Sequence, residues 1–342
     1  MDNIIGFETG QRLHDEMQSL SLIPGGKRAF RETEEFAGKM RNVCNGLYGG
    51  YEPIITFRGP ALSSLIAYQA GITADDPIKH GFAPWLFYER MSVIEFNFNL
   101  PVRAQRIIYD YDLRVPDCVK IYTGRDASVI ETVSQMRKSD IKPDITLPDR
   151  KYLLEENSEI KHFFNAACMG KREYLKYLNG YDSEFVPHVF EVLDFLYEIG
   201  KLPGCLEELA KLDGFLHCNL TNGNYLSALK SAWECSTDGD LYGNLIAFTD
   251  DVYYALRSTG CDEWQAKSIT RKVKNFSSRL DPEDRVSLEF YCGYDFLLQA
   301  SFIRHLYCRS QCLQSALLES WLMYLVNHYP KTVRQAYESI FS

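Results

Sequence analysis

Arg90-Met91-Ser92-Val93-Ile94-Glu95-Phe96-Asn97-Phe98-Asn99-Leu100 carries the pattern on which the fold turns. From Ile94 onward apolar and polar residues alternate, Ile94, Phe96 and Phe98 against Glu95, Asn97 and Asn99. A period of two marks a strand with one face on a core. Val93, Glu95, Asn97 and Asn99 then share the other face, successive members about 7 Å apart. A polar row on a rigid strand can hold divalent cations, and Mg²⁺ demands several anionic oxygens at once. This row supplies one carboxylate, Glu95.

Upstream, Pro53-Ile54-Ile55-Thr56-Phe57 reads as a short buried strand running into Arg58-Gly59-Pro60 and a helical stretch Ala61–Ala70 closed by Gly71. Proline at the start and glycine just past the end are ordinary helix punctuation. A strand, a glycine turn and a helix N-terminus beside Ser63 and Ser64 form a candidate phosphate cradle, because unpaired N–H groups point outward there. The plainer alternative is a helix start in a mixed α/β layer. Downstream, 106–112 and Cys118-Val119-Lys120-Ile121-Tyr122 both read as strands. Asp110 and Asp112 are then an i, i+2 carboxylate pair, either a metal candidate or solvated edge residues. Residues 9–46 carry helical spacing, broken at Pro24-Gly25-Gly26.

From about residue 126 the pattern turns helical. The stretch 138–151 is a polar loop, and Phe190–Ile199 and Leu206–Leu212 have helical periods. Asp262-Glu263-Trp264-Gln265 and Asp281-Pro282-Glu283-Asp284 are N-terminal helix signals. Phe296–Tyr329 reads as one long helical region, broken near Arg309-Ser310 and ending at Pro330. Cys308 and Cys312, one turn apart with no His or carboxylate at matching spacing, read as buried thiols.

The bulk numbers narrow the class. Of 342 residues, 46% are hydrophobic and 24% charged, as in an ordinary soluble globular protein. A net charge of −9 weighs against strong non-specific nucleic-acid binding, leaving room only for a local basic groove. Ten cysteines without a CxxC pair, a start without a signal-peptide pattern and no long apolar run point to a cytoplasmic protein. Its thiols are expected reduced, with no zinc and no membrane span.

These residues, taken in order, resemble the PolC-type DNA polymerase III alpha subunit of the bacterial C family. The turn Arg58-Gly59-Pro60-Ala61-Leu62-Ser63-Ser64-Leu65, followed by Ala70-Gly71-Ile72-Thr73 and Asp76-Pro77, is similar to the family's palm phosphate loop. Ile94–Phe98 resembles its catalytic strand, and Tyr109–Asp112 through Lys120–Gly124 resembles its second palm segment. In the helical half, Asp194–Leu229 (with Glu208-Leu209, His217 and Gly223-Asn224), Thr249-Asp250-Asp251-Val252 and Asn327-His328-Tyr329-Pro330 resemble fingers motifs.

The resemblance implies three palm aspartates holding two Mg²⁺ ions, and those positions fall here on Val93, Glu95 and Tyr122. Pro60 and Leu62 replace a Ser and a Gly of the phosphate loop, and a fingers Arg is Thr249. The Lys-rich fingers loop appears as Lys274-Asn275-Phe276-Ser277-Ser278. The thumb, the zinc-binding insert expected near His80, and the exonuclease and phosphoesterase domains have no counterpart.

The expected fold is therefore a mixed α/β, nucleotidyltransferase-like palm over 1–125, then an all-α fingers-like region over 126–342. The expected function is that of a catalytically inactive, truncated relative, a binding or accessory protein linked to replication. Its partner would be a replication protein or nucleic acid, and no cofactor is expected. The alternative is a reduced Mg²⁺-dependent polymerase using Glu95 with Asp110 or Asp112. Arg58, Gly59, Ser63, Ser64, Lys267, Arg271, Lys272 and Lys274 are the candidates for residual phosphate contact, the bland reading of the lysine-rich group being a solvated helix face. His217 and His328 read as structural.

Overall fold

The computed structural model describes residues 2–48, 56–58, 60–83, 94–136, 158–178, 181, 188–218, 220, 223–236, 239–275 and 280–341. Two compact units result, Met1–Ser139 and Asp140–Ser342. The first is mixed α/β and the second helical apart from isolated bridges.

In the first unit, helices α1 (Asp2–Ser21) and α2 (Gly26–Tyr48) are divided at Gly25, whose φ of +73° suits glycine. The sheet has three strands with β2 (Phe96–Leu100) in the middle. β2 runs antiparallel to β1 (Thr56–Arg58) and parallel to β3 (Val119–Thr123). Ile94, Phe96, Phe98 and Leu100 are buried, as the alternation predicts, and Glu95, Asn97 and Asn99 are half-buried. The buried row meets α2 through edge-on rings: Phe30 on Phe96 at 5.0 Å and Phe36 on Phe98 at 5.5 Å. Each fully buried Phe contributes about 1.5–3 kcal/mol, so this seam anchors the sheet. Pro53–Ile55 and Gly59 lie outside the described residues.

One strand expectation is overturned. Residues 106–110 of the run 106–112 belong to helix α4 (Val102–Asp110), which buries Ala104, Ile107 and Ile108 at helical spacing. Topology demands it: two parallel neighbours cannot be joined by a hairpin, and a helix is the usual crossover. Asp110 ends α4, and Asp112 follows it at φ +47°. Helix α5 (Arg125–Met136) follows β3 and lies in this first compact unit.

The second unit contains α6 (Ser158–Cys168), α7 (Val189–Glu198), α8 (Leu206–His217), α9 (Tyr225–Glu234), α10 (Leu241–Asn244), α11 (Thr249–Ser258), α12 (Glu263–Lys274), α13 (Pro282–Cys292), α14 (Tyr294–Phe302), α15 (Arg309–His328) and α16 (Pro330–Phe341). α15 packs against both α8 and α6 and is buried along most of its length. Asp262 and Asp281 cap α12 and α13 as read, each side chain accepting from an N–H of the first turn. The 296–329 region is broken as expected before Arg309: α14 and α15 are parted by Ile303–Cys308. Within that gap Ile303 and Tyr307 make bridges to Leu220 and Phe248. α15 ends at His328, just before Pro330 as expected, and Pro330 opens α16. The stretch 138–151 lies outside the described residues.

Candidate functional site

The candidate phosphate cradle is a 3₁₀ turn, Pro60–Ser63, leading through Ser64 into the short helix α3 (Leu65–Gln69). Its outward N–H groups are already taken. The Glu16 carboxylate, from α1 and 3% exposed, accepts from the backbone N–H of Leu65 (3.0 Å) and Ile66 (3.2 Å). It also accepts from the Ser64 hydroxyl (3.0 Å), while Ser64 Oγ accepts from the Ala67 N–H (3.1 Å). Arg12, one turn before Glu16, pairs with it at 3.1 Å and donates to the carbonyls of Phe82 (2.9 Å) and Ser63. An internal anion thus sits where a phosphate would bind, with its own counter-cation. Ser63 and Ser64 are fully buried in this arrangement. Sequence reading missed Glu16, because its partners lie about fifty residues away and only the Arg12/Glu16 spacing hints at a pair.

The polar face of the sheet is the second element. Register sets Asn97 opposite Arg58 on one side and Lys120 on the other, and Asn99 opposite Thr56 and Tyr122. Two of the positions that the resemblance singles out, Glu95 and Tyr122, therefore lie on adjoining strands or their ends; Val93 lies outside the described residues. Glu95 is neutralised by Lys120, Nζ to Oε2 2.5 Å, and this pairing raises the Lys120 pKa. Asn97 Oδ1 is buried without a hydrogen-bond partner among the described residues. One paired carboxylate, one neutral acceptor, a phenol and an ammonium do not fit Mg²⁺, which needs uncompensated anionic oxygens. Asp110 and Asp112 are exposed at a helix end, so no strand pairing aligns them beside Glu95. Among the described residues, no group of three or more His, Cys, Asp or Glu side chains could hold a metal ion.

In the helical unit the motif residues serve as fasteners. Asp251 accepts from the N–H groups of Ala247 and Phe248 (2.8 Å each) and pairs with Lys211 of α8 at 2.7 Å. Asp250, fully buried, accepts from the Thr249 hydroxyl (3.2 Å) and from the Arg309 N–H (3.0 Å) that opens α15. His217 meets the Asp213 carbonyl through Nδ1 at 2.8 Å. Asn327 and His328 both bond Glu159 at the start of α6, at 2.8 and 3.1 Å. Both rings are hydrogen-bonded within the helical unit, as read.

The basic candidates are largely engaged. Lys267 pairs with Glu263 at 2.6 Å, and Lys272 with Asp281 at 2.9 Å and with Asp284. Arg271 is half-buried, and desolvation lowers its pKa. Lys274 is half-buried near His305, whose pKa falls through burial first and the Lys274 charge second. Arg58 ends β1 opposite Asn97. Cys118, Cys168, Cys205, Cys218, Cys235, Cys261, Cys292, Cys308 and Cys312 are free thiols, and Cys308 and Cys312 are buried, with both pKa values raised by burial.

A buried carboxyl pair was not foreseen. Asp213 of α8 and Glu319 of α15 are 1% and 0% exposed. The Tyr181 hydroxyl donates to Asp213 Oδ1 at 2.9 Å. Burial pushes the Asp213 pKa up to about 6, against the opposing effects of His217 and the Tyr181 hydrogen bond.

No protein-family model matches the chain, and no curated protein matches it. Among the described residues no helix is long and apolar enough to cross a membrane.

Proposed function

We propose that this chain is a catalytically inactive relative of the PolC-type DNA polymerase III alpha subunit that acts by binding, as an accessory protein linked to DNA replication. The observation that carries the reading is the Glu16 carboxylate seated on the N–H groups of Leu65 and Ile66. A nucleotide phosphate bound there would have to displace a buried, charge-paired side chain. The Glu95–Lys120 pair supports the same reading, since a divalent cation on Glu95 would face an ammonium group 2.5 Å from that carboxylate.

The ordered resemblance of motifs, from Arg58 to Pro330, is what ties the chain to replication. The alternative, a reduced polymerase built on Glu95 with Asp110 or Asp112, loses support from the helical placement of Asp110.

Incubation with labelled primer–template, dNTPs and Mg²⁺ or Mn²⁺ tests the proposal. No incorporation is expected; incorporation abolished by Glu95→Gln would overturn it. The salt dependence of any DNA binding then separates a nucleic-acid partner from a protein partner, because phosphate contacts weaken as salt rises.

A further inference from the structure

Helix α13 and the start of α14 leave an apolar ridge uncovered: Val286 is 66% exposed, Phe290 80% and Tyr294 62%. Val286 and Phe290 stand one turn apart, and Gly293 at φ +87° turns the chain so that Tyr294 begins the next helix. α13 packs inward through the fully buried Leu288 and through Ser287, which accepts from Gln265 at 3.0 Å. The charged side chains exposed between Asp281 and Asp295 are all carboxylates: Asp281, Glu283, Glu289 and Asp295. Asp281 is held by Lys272, whereas Glu283 and Glu289 have no ion-pair partner among the described residues. Arg285, the base of this stretch, is half-buried.

An exposed aromatic ridge flanked by uncompensated carboxylates has the character of a docking surface rather than a solvated one. We propose that it binds a cationic amphipathic helix of another protein. The partner's apolar side chains cover Val286, Phe290 and Tyr294, and its Lys or Arg side chains meet Glu283, Glu289 and Asp295. Nucleic acid is a poor occupant, because its phosphates would face those carboxylates. A second copy of the chain would bring the same carboxylates together on a molecule of net charge −9. The assignment is independent of the polymerase ancestry.

Anisotropy titration of the full chain with a labelled amphipathic helical peptide of Leu and Lys, and with its Leu and Glu counterpart, tests it. The Leu/Lys peptide is expected to bind and the Leu/Glu peptide not to bind. Phe290→Ser and the pair Glu283→Lys, Glu289→Lys should each weaken binding about tenfold or more, while Glu198→Lys on α7 leaves it unchanged. These positions are exposed, and circular dichroism checks that the variants stay folded. Equal binding by all variants, no binding, or concentration-dependent self-association lost in Phe290→Ser would overturn the proposal.

Discussion

Glu16 stands in for an anion at the α3 N-terminus, and its removal isolates several buried groups together. Glu16→Ala leaves the Leu65 and Ile66 N–H groups without their acceptor and the Arg12 guanidinium without its carboxylate. Unfolding in urea should show a loss of about 3–5 kcal/mol, with Glu16→Gln losing less because it keeps the shape and one acceptor oxygen. Asp213 predicts a pH dependence. Its native pKa, about 6, lies above the ordinary 3.8, so folding favours the protonated form. Below about pH 4 both states hold the proton and nothing is lost. Between about pH 4 and 6 the unfolded chain ionises first and stability falls, levelling above about 6. Stability therefore declines as pH rises through this window. Asp213→Asn keeps an acceptor for Tyr181 and should flatten that slope, gaining stability over the parent at pH 7 relative to pH 4. A parallel slope in both proteins, followed by chemical denaturation, would remove Asp213 as its source.

At the scale of elements, α8 reaches the 247–248 segment through Gly214. A Cβ there would lie 2.8 Å from the Ala247 carbonyl oxygen and 2.7 Å from the Phe248 ring. Gly214→Ala should therefore destabilise by about 1–3 kcal/mol although alanine favours helix, and a rise in Tm would contradict this contact. Asp262→Ala should cost about 1 kcal/mol by removing the cap from the Gln265 N–H. β2 was legible because period-two alternation from Ile94 to Leu100 has no helical counterpart, and the caps at Asp262 and Asp281 were legible because capping is local chemistry. α4 was misread because Ile107, Ile108, Tyr109 and Tyr111 favour strand individually. The Ala104, Ile107, Ile108 spacing and the crossover that a parallel β2–β3 pair requires outweighed that preference. Glu16 and the Asp213–Glu319 pair were invisible for a different reason: burial decides them, and no short stretch of sequence carries it.

At the scale of the molecule, a mixed α/β unit and a helical unit each close around their own packing, and the residues that resemble polymerase motifs serve it. Asp250 and Asp251 join helix starts, and Asn327 and His328 join α15 to α6. Of the basic groups of α12, Lys267 and Lys272 are paired with neighbouring acids. On the proposed reading, these polar groups of the described residues serve packing and do not hold a triphosphate with its metal ions. Isothermal titration of the full chain with a dNTP in saturating Mg²⁺, repeated with Mn²⁺, tests this most directly. No heat of binding is the predicted result; binding that requires the metal and disappears in Glu95→Gln would contradict it.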